Sequence, residues 1–503
     1  MDANTLWGDG MKIDRLKAGL LKLSLFCAAF TLFMVTGSVV FSNGKYGLRA
    51  GLLLPVMGCA AAVFSGLDRL IARHGPALKR RYWWIVGVCI LAVMIANIAH
   101  GAAMRYVPSY DLGAIYNGAI GWAEQGSFMA SSDRFGEDYF YYFPNNIGGM
   151  ALLLLPFRLA ALLGLRDYYM AAVIFATLLV GVTLLTMLLI SRRLFGEERS
   201  LLMLAFMLLF PPTCFMGVAF YTDTLAMPFP VMAFYLYLRF RDCRPGREKW
   251  LYAALIAISM AVGMQVKFTS VITLIAIILY HLLSAEKTAE EVLQLFGMSG
   301  IMIACVILTL NGVVYSGHLD QSRAKALNTP YLHWIMMGLK DEGRYNPNDY
   351  VFTRSFKDTD ERDRALREEI FNRIRANGVE GMLDLWNIKA VIDFGDGTLA
   401  QSDFFDDFPQ NDTALNDLVL YGGERFQLYR YLCSGVYLLF VLYSAIGALR
   451  GIRAPSVKAV LPIALWGLTL FLMLWEATGR YASSYLPMFV LGAMGGWEDG
   501  HRC

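Results

Sequence analysis

Residues 168–193 read YYMAAVIFATLLVGVTLLTMLLISRR. From Tyr168 to Ile190 no side chain is charged, and a helix of that length, rising about 1.5 Å per residue, covers a hydrocarbon core about 30 Å thick. The run stops at Arg192 and Arg193, a basic pair of the kind that short loops retain on the cytoplasmic side. Comparable apolar runs lie near 18–41, 48–70, 83–103, 200–217, 222–240, 250–265, 268–284, 294–315, 430–449, 456–475 and 480–497, which brings the expectation to about twelve crossings.

Composition agrees with this reading. Of 503 residues, 57% are hydrophobic and 17% charged, where a soluble domain carries about 25% charged residues, and the mean hydropathy is +0.47. A water-soluble fold is excluded, and the expected fold is an all-α polytopic membrane protein. A net charge of +3, spread over many loops, offers no basic surface for nucleic acid. The cysteines stand singly, mostly in apolar runs (Cys27, Cys59, Cys89, Cys305, Cys433), so neither a disulfide framework nor a CxxC metal site is expected. No small-residue cleavage site follows the first apolar run, which reads as a retained helix.

Flanking charge sets the expected orientation. Lys12, Arg15 and Lys17 precede the first run, Arg69 to Arg81 follow the second, Arg239 to Lys249 follow the sixth, and Arg450 and Arg453 precede the last hairpin. All are cytoplasmic under one alternation, which places both termini inside and two polar segments, 104–146 and 316–429, outside. The apolar run 147–166 breaks that alternation if it crosses. It reads instead as a re-entrant or surface-lying helix, entered at Pro144 and interrupted by Pro156 and Arg158. Three parts follow: a transmembrane module over 1–315 containing the first outer loop, a small outer segment over 316–429 that is α/β or irregular, and C-terminal helices over 430–503.

The candidate site residues stand at outer helix ends. MRYVPSYDLGAIYNGAIGWAEQGSF (104–128) predicts an amphipathic helix with Leu112, Ile115, Ala119 and Trp122 on one face and Asp111 in its first turn. Asp111 is either a cap for free backbone N–H groups or a functional carboxylate. FYYFPNNIGG (140–149), FYTD (220–223), QVKF (265–268) and EATGRY (476–481) follow on the same side. Ionisable groups at the lipid boundary are functional candidates by default. Lys267 has the alternative of reaching to headgroups, and Arg480 that of pairing with Glu476 at (i, i+4). Tyr110, Tyr142, Tyr221 and Trp334 read as interfacial anchors or as platforms for a sugar ring. In the outer segment, 358–378 predicts a helix ended by Asn377-Gly378, His333 packs, and Asp393, Gly395 and Asp396 form a turn. The histidines show no metal-ligand spacing, so no metal is expected.

The order of these features resembles the GT-C superfamily of polytopic glycosyltransferases, in particular the branch similar to protein O-mannosyltransferases and bacterial aminoarabinose transferases. The resemblance rests on Asp111 in the first outer loop, the Phe143-Pro144-Asn145-Asn146 segment, the basic Ser191–Gly196 stretch, the Tyr221–Asp223 step, Lys267 between two helices and Arg480 before the last one. It implies a GT-C-like helical bundle that takes a polyprenyl-phosphate-linked sugar as donor and transfers a hexosyl or pentosyl group, without a cofactor. The acceptor hydroxyl it implies belongs to a cell-envelope polymer, lipid or protein at the outer face. Asp111 is then the general base, Lys267 and Arg480 are the donor-phosphate ligands, and Asp223, Tyr221, Asn145, Asn146 and Glu476 contact substrate. Two departures stand out. Asp111 is followed by Leu112 rather than by a second acid, leaving Asp133, Glu137 or Asp138 for that role, and an extra hairpin precedes the matched region. A multi-pass transporter or lipid-linked sugar flippase is the alternative, although no inverted repeat is evident.

Overall fold

The structure is a computed structural model describing residues 3–42, 48–128, 138–244, 246–284, 289–315, 318–405 and 409–497. Among these residues the regular elements are helices, and one isolated bridge pairs Tyr106 with Pro409. The described part of 316–429 is therefore helical, which corrects the α/β expectation. Side-chain caps open several of its short helices, with Asp320 accepting from Arg323 N and Asn346 from Asn348 N and Asp349 N.

The principal helices are α1 (Ala3–Phe41), α2 (Ala50–Arg73), α3 (Tyr82–Met104), α4 (Tyr110–Gln125), α5 (Ile147–Leu162), α6 (Tyr168–Phe195), α7 (Glu197–Leu209), α8 (Pro228–Asp242), α9 (Arg247–Val266), α10 (Val271–Leu283), α11 (Ala289–Thr309), α12 (Thr359–Phe394), α13 (Phe426–Gly451), α14 (Val460–Leu474) and α15 (Leu486–Trp497). Among the described residues nine helical stretches are long and apolar enough to cross a membrane. They are α1, α2, α3, α5, α6, α9, α11, α13 and α14, some with a flanking turn. The expected spans 200–217, 222–240, 268–284 and 480–497 correspond to shorter helices, α7, α8, α10 and α15, each next to a 3₁₀ turn or a short helical piece. Proline explains three of the breaks: Pro211 and Pro212 stop α7, Pro228 opens α8, and Pro487 stands in the first turn of α15.

Polar contacts tie helix ends together at two levels. At one, Asp68 meets Arg199 at 2.7 Å, Lys79 meets Glu198 at 2.9 Å, Arg193 pairs with Asp242, and Lys249 with Glu291. At the other, Arg105 after α3 pairs with Asp167 before α6, and the Arg105 carbonyl accepts from Gln410 N at 2.7 Å. Both ends of α5 sit at this second level. Its start abuts Gln265 at the end of α9, and five residues after Leu162 the chain reaches Asp167. Its Arg158 also donates to the carbonyl of Ala123 in α4 at 2.6 Å. α5 is also among the helices long and apolar enough to cross a membrane.

Between α7 and α8 the backbone unwinds inside the bundle, and its polar groups need partners that lipid does not offer. Asn97 of α3, fully buried, donates to the carbonyls of Val93 and Thr213 at 2.9 Å and accepts from Gly217 N at 2.7 Å. Gln401 donates to the carbonyl of Pro212 at 3.1 Å.

The helical segment after α11 is clasped by charge. Asp358 caps α12, accepting from the backbone N–H groups of Asp360 and Glu361. The helix breaks at Gly378 (φ 59°), where the sequence places a stop, but resumes at once and runs to Phe394. That second half is missed because its apolar residues, including Val391, Ile392 and Phe394, are held by packing on α1 and α14 rather than by local signals. Asp396 then accepts from Thr398 N and Oγ1, forming the expected turn, whereas Asp393 belongs to the helix. Arg373 binds both oxygens of buried Asp349, at 2.7 and 2.8 Å.

His333 is fully buried beside this pair. The Thr353 hydroxyl donates to the Asp349 carbonyl, so the His333 Nδ1–H donates to Thr353 Oγ1, at 2.7 Å. Burial pushes the imidazole down to about 4. Its neutral form is therefore the one the fold holds. The stability it contributes is complete above the ordinary histidine range and is lost as pH falls from about 6.5 through 4. Unfolding midpoints measured across that window are expected to drop in the wild type and to vary less in His333→Gln.

Candidate active site

Five chain segments meet where α3, α9 and α14 end. Tyr110 opens α4, the 3₁₀ turn Pro144–Asn146 leads into α5, Tyr221 precedes the short helix Thr222–Ala226, Lys267 ends α9, and 475–485 join α14 to α15. They enclose a cavity of about 810 Å³ whose lining includes Asp111, Asn145, Asn146, Tyr221, Lys267, Glu476 and Arg480. Seven of the eight residues singled out from sequence, spread over nearly four hundred positions, thus share one chamber. The eighth, Asp223, lies directly behind two of them.

Close backbone approach builds this junction. A Cβ at Gly148 would stand 2.0 Å from the Gln265 carbonyl oxygen, and one at Gly149 would stand 2.8 Å from Thr222 Cγ2. Only glycine lets the start of α5 press on both the Lys267 corner and the Tyr221–Asp223 step.

Asp223 bridges the two cations. Its Oδ1 pairs with Lys267 Nζ and its Oδ2 accepts from Arg480 Nη1 at 3.2 Å. The Asp223 side chain is 4% exposed, against 11% for Lys267 and 21% for Arg480. The Tyr481 ring stacks under both cations, 4.7 Å from Lys267 Nζ and 4.9 Å from Arg480 Cζ, and Tyr221 carries Arg480 at 5.0 Å. Lys267 therefore does not reach away to headgroups, and Arg480 pairs with Asp223 rather than with Glu476. The Glu476 Oε2 accepts from the Tyr481 hydroxyl at 2.9 Å instead. Two cations converge on this one carboxylate, and Asp111 and Glu476 also lie within Coulombic reach of Arg480. Asp223 orients these cations and does not itself line the chamber, which revises its expected contact with substrate.

Asp111 is held from the opposite side. It does not cap α4. Its Oδ1 accepts from the Tyr139 hydroxyl at 2.8 Å, Tyr139 accepts from Asn146 Nδ2 at 2.5 Å, and Asn146 Oδ1 accepts from Asn145 Nδ2 at 3.2 Å. Every donor in the chain points toward Asp111. Oδ2 has no protein hydrogen-bond partner among the described residues and remains open to a ligand. The preceding Tyr110 adopts φ 46°, a left-handed conformation that costs a bulky residue about 1–3 kcal/mol and is held at functional sites by its surroundings. Of the residues considered for the missing second acid, Asp133 and Glu137 lie outside the described residues, and Asp138 pairs with Arg323 at 2.6 Å. Glu476 brings a second carboxylate into the chamber, and burial pushes it above the ordinary carboxylate range.

Sequence reasoning missed the clamp that holds residues 475–480 of the site. Fully buried Lys389 of α12 donates to the carbonyls of Gly338 at 3.1 Å and Met473 at 3.0 Å, and to that of Trp475. Asp393, one helical turn on, accepts from Thr478 N at 2.8 Å. Local sequence offers no signal for this beyond a lysine and an aspartate at (i, i+4) on an apolar stretch. Removing the shared carboxylate is the sharper test of the charge arrangement. Asp223→Ala is expected to destabilise the detergent-purified protein by about 3–5 kcal/mol by leaving two buried cations uncompensated, with part of the loss recovered in Asp223→Ala/Lys267→Met. Equal loss in the single and double variants contradicts the bridge.

No curated protein matches the chain. A family model described as conserved hypothetical integral membrane protein matches residues 11–501. With nearly its whole length covered, and with the apolar helices that membrane insertion requires, the chain belongs to this family of integral membrane proteins.

Proposed function

We propose that this protein is a membrane glycosyltransferase that moves a sugar from a polyprenyl-phosphate donor to an acceptor hydroxyl at the outer face of the cell membrane. The observation that carries the reading is the chamber itself. It offers a carboxylate with an open oxygen, Asp111, and a corner with two cations, Lys267 and Arg480. It stands at one end of the bundle, where a lipid-borne headgroup would lie. In this reading the chain crosses twelve times, with α5 along the outer face and both termini cytoplasmic, as the basic loops suggest.

The chemistry follows from that placement. The acceptor oxygen attacks the anomeric carbon, the bond from that carbon to the phosphate oxygen breaks, and the polyprenyl phosphate leaves with the electron pair. Asp111 takes the proton from the acceptor hydroxyl, a role worth about 10²–10⁴ in rate. Lys267 and Arg480 stabilise the charge growing on the phosphate, in a site from which water is largely removed. Tyr221 holds Arg480 in place, while Asn145, Asn146 and Glu476 are within the same lining to meet hydroxyls of the sugar.

A transporter or flippase without transferase chemistry is the second reading, and the unwound stretch between α7 and α8 favours it, because broken helices build transport sites. That stretch, however, spends its backbone groups on Asn97 and Gln401, and the charged candidates gather at one end of the bundle.

Purified wild type and Asp111→Asn are to be assayed with a panel of synthetic polyprenyl-phosphate hexoses and pentoses, for sugar release or transfer. Turnover that falls by about 10²-fold or more in Asp111→Asn, with donor binding retained, is the expected result. Unchanged turnover in the variant removes Asp111 from the mechanism.

A further inference from the structure

Residues 316–429 carry no motif that names a partner, yet part of this segment walls the chamber. Thr329, Tyr331, Trp334, Tyr345 and Tyr350 all face it. The wall is knitted to the first loop: Thr329 N donates to the Tyr142 carbonyl at 3.0 Å, and Arg354, donating to Thr329 Oγ1, lies between the rings of Tyr142 and Tyr350 at 3.5 and 4.5 Å. Trp334 stacks on Trp475 with ring centroids 6.2 Å apart and planes 23° from parallel, and Trp475 stacks in turn on Phe471 at 5.0 Å. An aromatic ladder thus runs from the end of α14 into the chamber.

The chamber changes character along its length. Where α9 and α14 end its lining is hydrocarbon: Val266, Phe268, Phe471 and Leu474, of which Phe268 is 59% and Leu474 51% exposed. Under the outer segment it is tryptophan and tyrosine. The indole N–H groups of Trp334 and Trp475 and the hydroxyl of Tyr331 have no hydrogen-bond partner among the described residues, and none of these atoms is sealed from the cavity. An isoprenoid chain lying there would leave them without a partner, a loss of about 1–3 kcal/mol for each group so buried. A ligand with ring C–H groups on its faces and hydroxyls on its rim meets both features, since aromatic faces are electronegative and their polar tips donate or accept. The wall presents no unpaired charge to a charged peptide, because Arg354 is sandwiched between rings.

From this division we propose that residues 329–350, with Trp475, form a carbohydrate subsite, so that the acceptor is the hydroxyl of a glycan. The proposal rests on the glycosyltransferase reading for its location next to Asp111, but its ligand is read by binding alone. The isoprenoid tail occupies the Phe268–Phe471–Leu474 end, the phosphate sits at Lys267 and Arg480, and the glycan lies along Trp334 and Trp475 with one hydroxyl at Asp111.

Equilibrium binding to the full-length protein in detergent tests it, with cellohexaose, maltohexaose, mannohexaose and chitohexaose as glycan probes, a serine- and threonine-rich decapeptide as the protein-like probe, and farnesyl phosphate as the lipid-like probe. At least one hexasaccharide is expected to bind. Trp334→Ala is expected to weaken it by about tenfold, and Lys267→Gln to leave it within about twofold while lowering farnesyl phosphate binding by more than about tenfold. Tyr345→Ala, at a residue 46% exposed, gives the same readout should Trp334→Ala not fold. Absence of binding by all four hexasaccharides, binding of the decapeptide instead, or loss of farnesyl phosphate rather than glycan binding in Trp334→Ala overturns the subsite. Farnesyl phosphate binding that ignores Lys267 speaks against the transferase reading and not against the glycan wall.

Discussion

Asp223 joins three parts of the chain by a single carboxylate. It sits after the unwound stretch that follows α7, Lys267 ends α9, and Arg480 lies in the turn after α14, so the bridge fixes three chain reversals that share no local sequence. A buried charge cluster of this kind is weak evidence of stability, because desolvation offsets most of the Coulombic gain. What it secures is register. Two cations are held at a fixed separation, with the rings of Tyr481 and Tyr221 beneath them. The glycines at 148 and 149 matter for the same reason, since they let α5 close the fourth side and carry Asn146 and Tyr139 toward Asp111.

The membrane class was legible because it rests on a local quantity, the length of an apolar run. The positions of Asp111, Lys267, Arg480, Asn145, Asn146, Tyr221 and Glu476 in one chamber were legible from sidedness and from a family resemblance, not from any single motif. Their partners were not. Sequence placed Asp223 with the substrate, whereas it holds the cations; it offered Glu476 to Arg480, whereas Tyr481 holds Glu476. Such pairings depend on contacts across hundreds of residues. Helix lengths in the α7–α8 and α15 regions were overestimated because hydropathy does not register Pro211, Pro212, Pro228 and Pro487 as breaks.

The segment 316–429 shows the same limit more strongly. Its charged first half was readable from Asp358 to Gly378, with cap and stop both in place. The second half carries the buried Lys389 and Asp393, which grip the carbonyls and N–H groups of the loop bearing Glu476 and Arg480. The segment is thereby part of the chamber's wall and of its support at once. Movement of α12 against α14 would displace both the aromatic ladder and the cationic corner, so the two halves of the site are mechanically one.

The most direct measurement is a cryo-electron microscopy structure of the protein with farnesyl phosphate bound. The expected result is phosphate density bridging Lys267 and Arg480, with the isoprenoid chain passing Phe268 toward the bilayer and a terminal phosphate oxygen, the position that carries the sugar in the donor, turned toward Asp111. Density for the phosphate at any other place, or at the midplane of the bundle, contradicts the assignment of this chamber as the site of transfer.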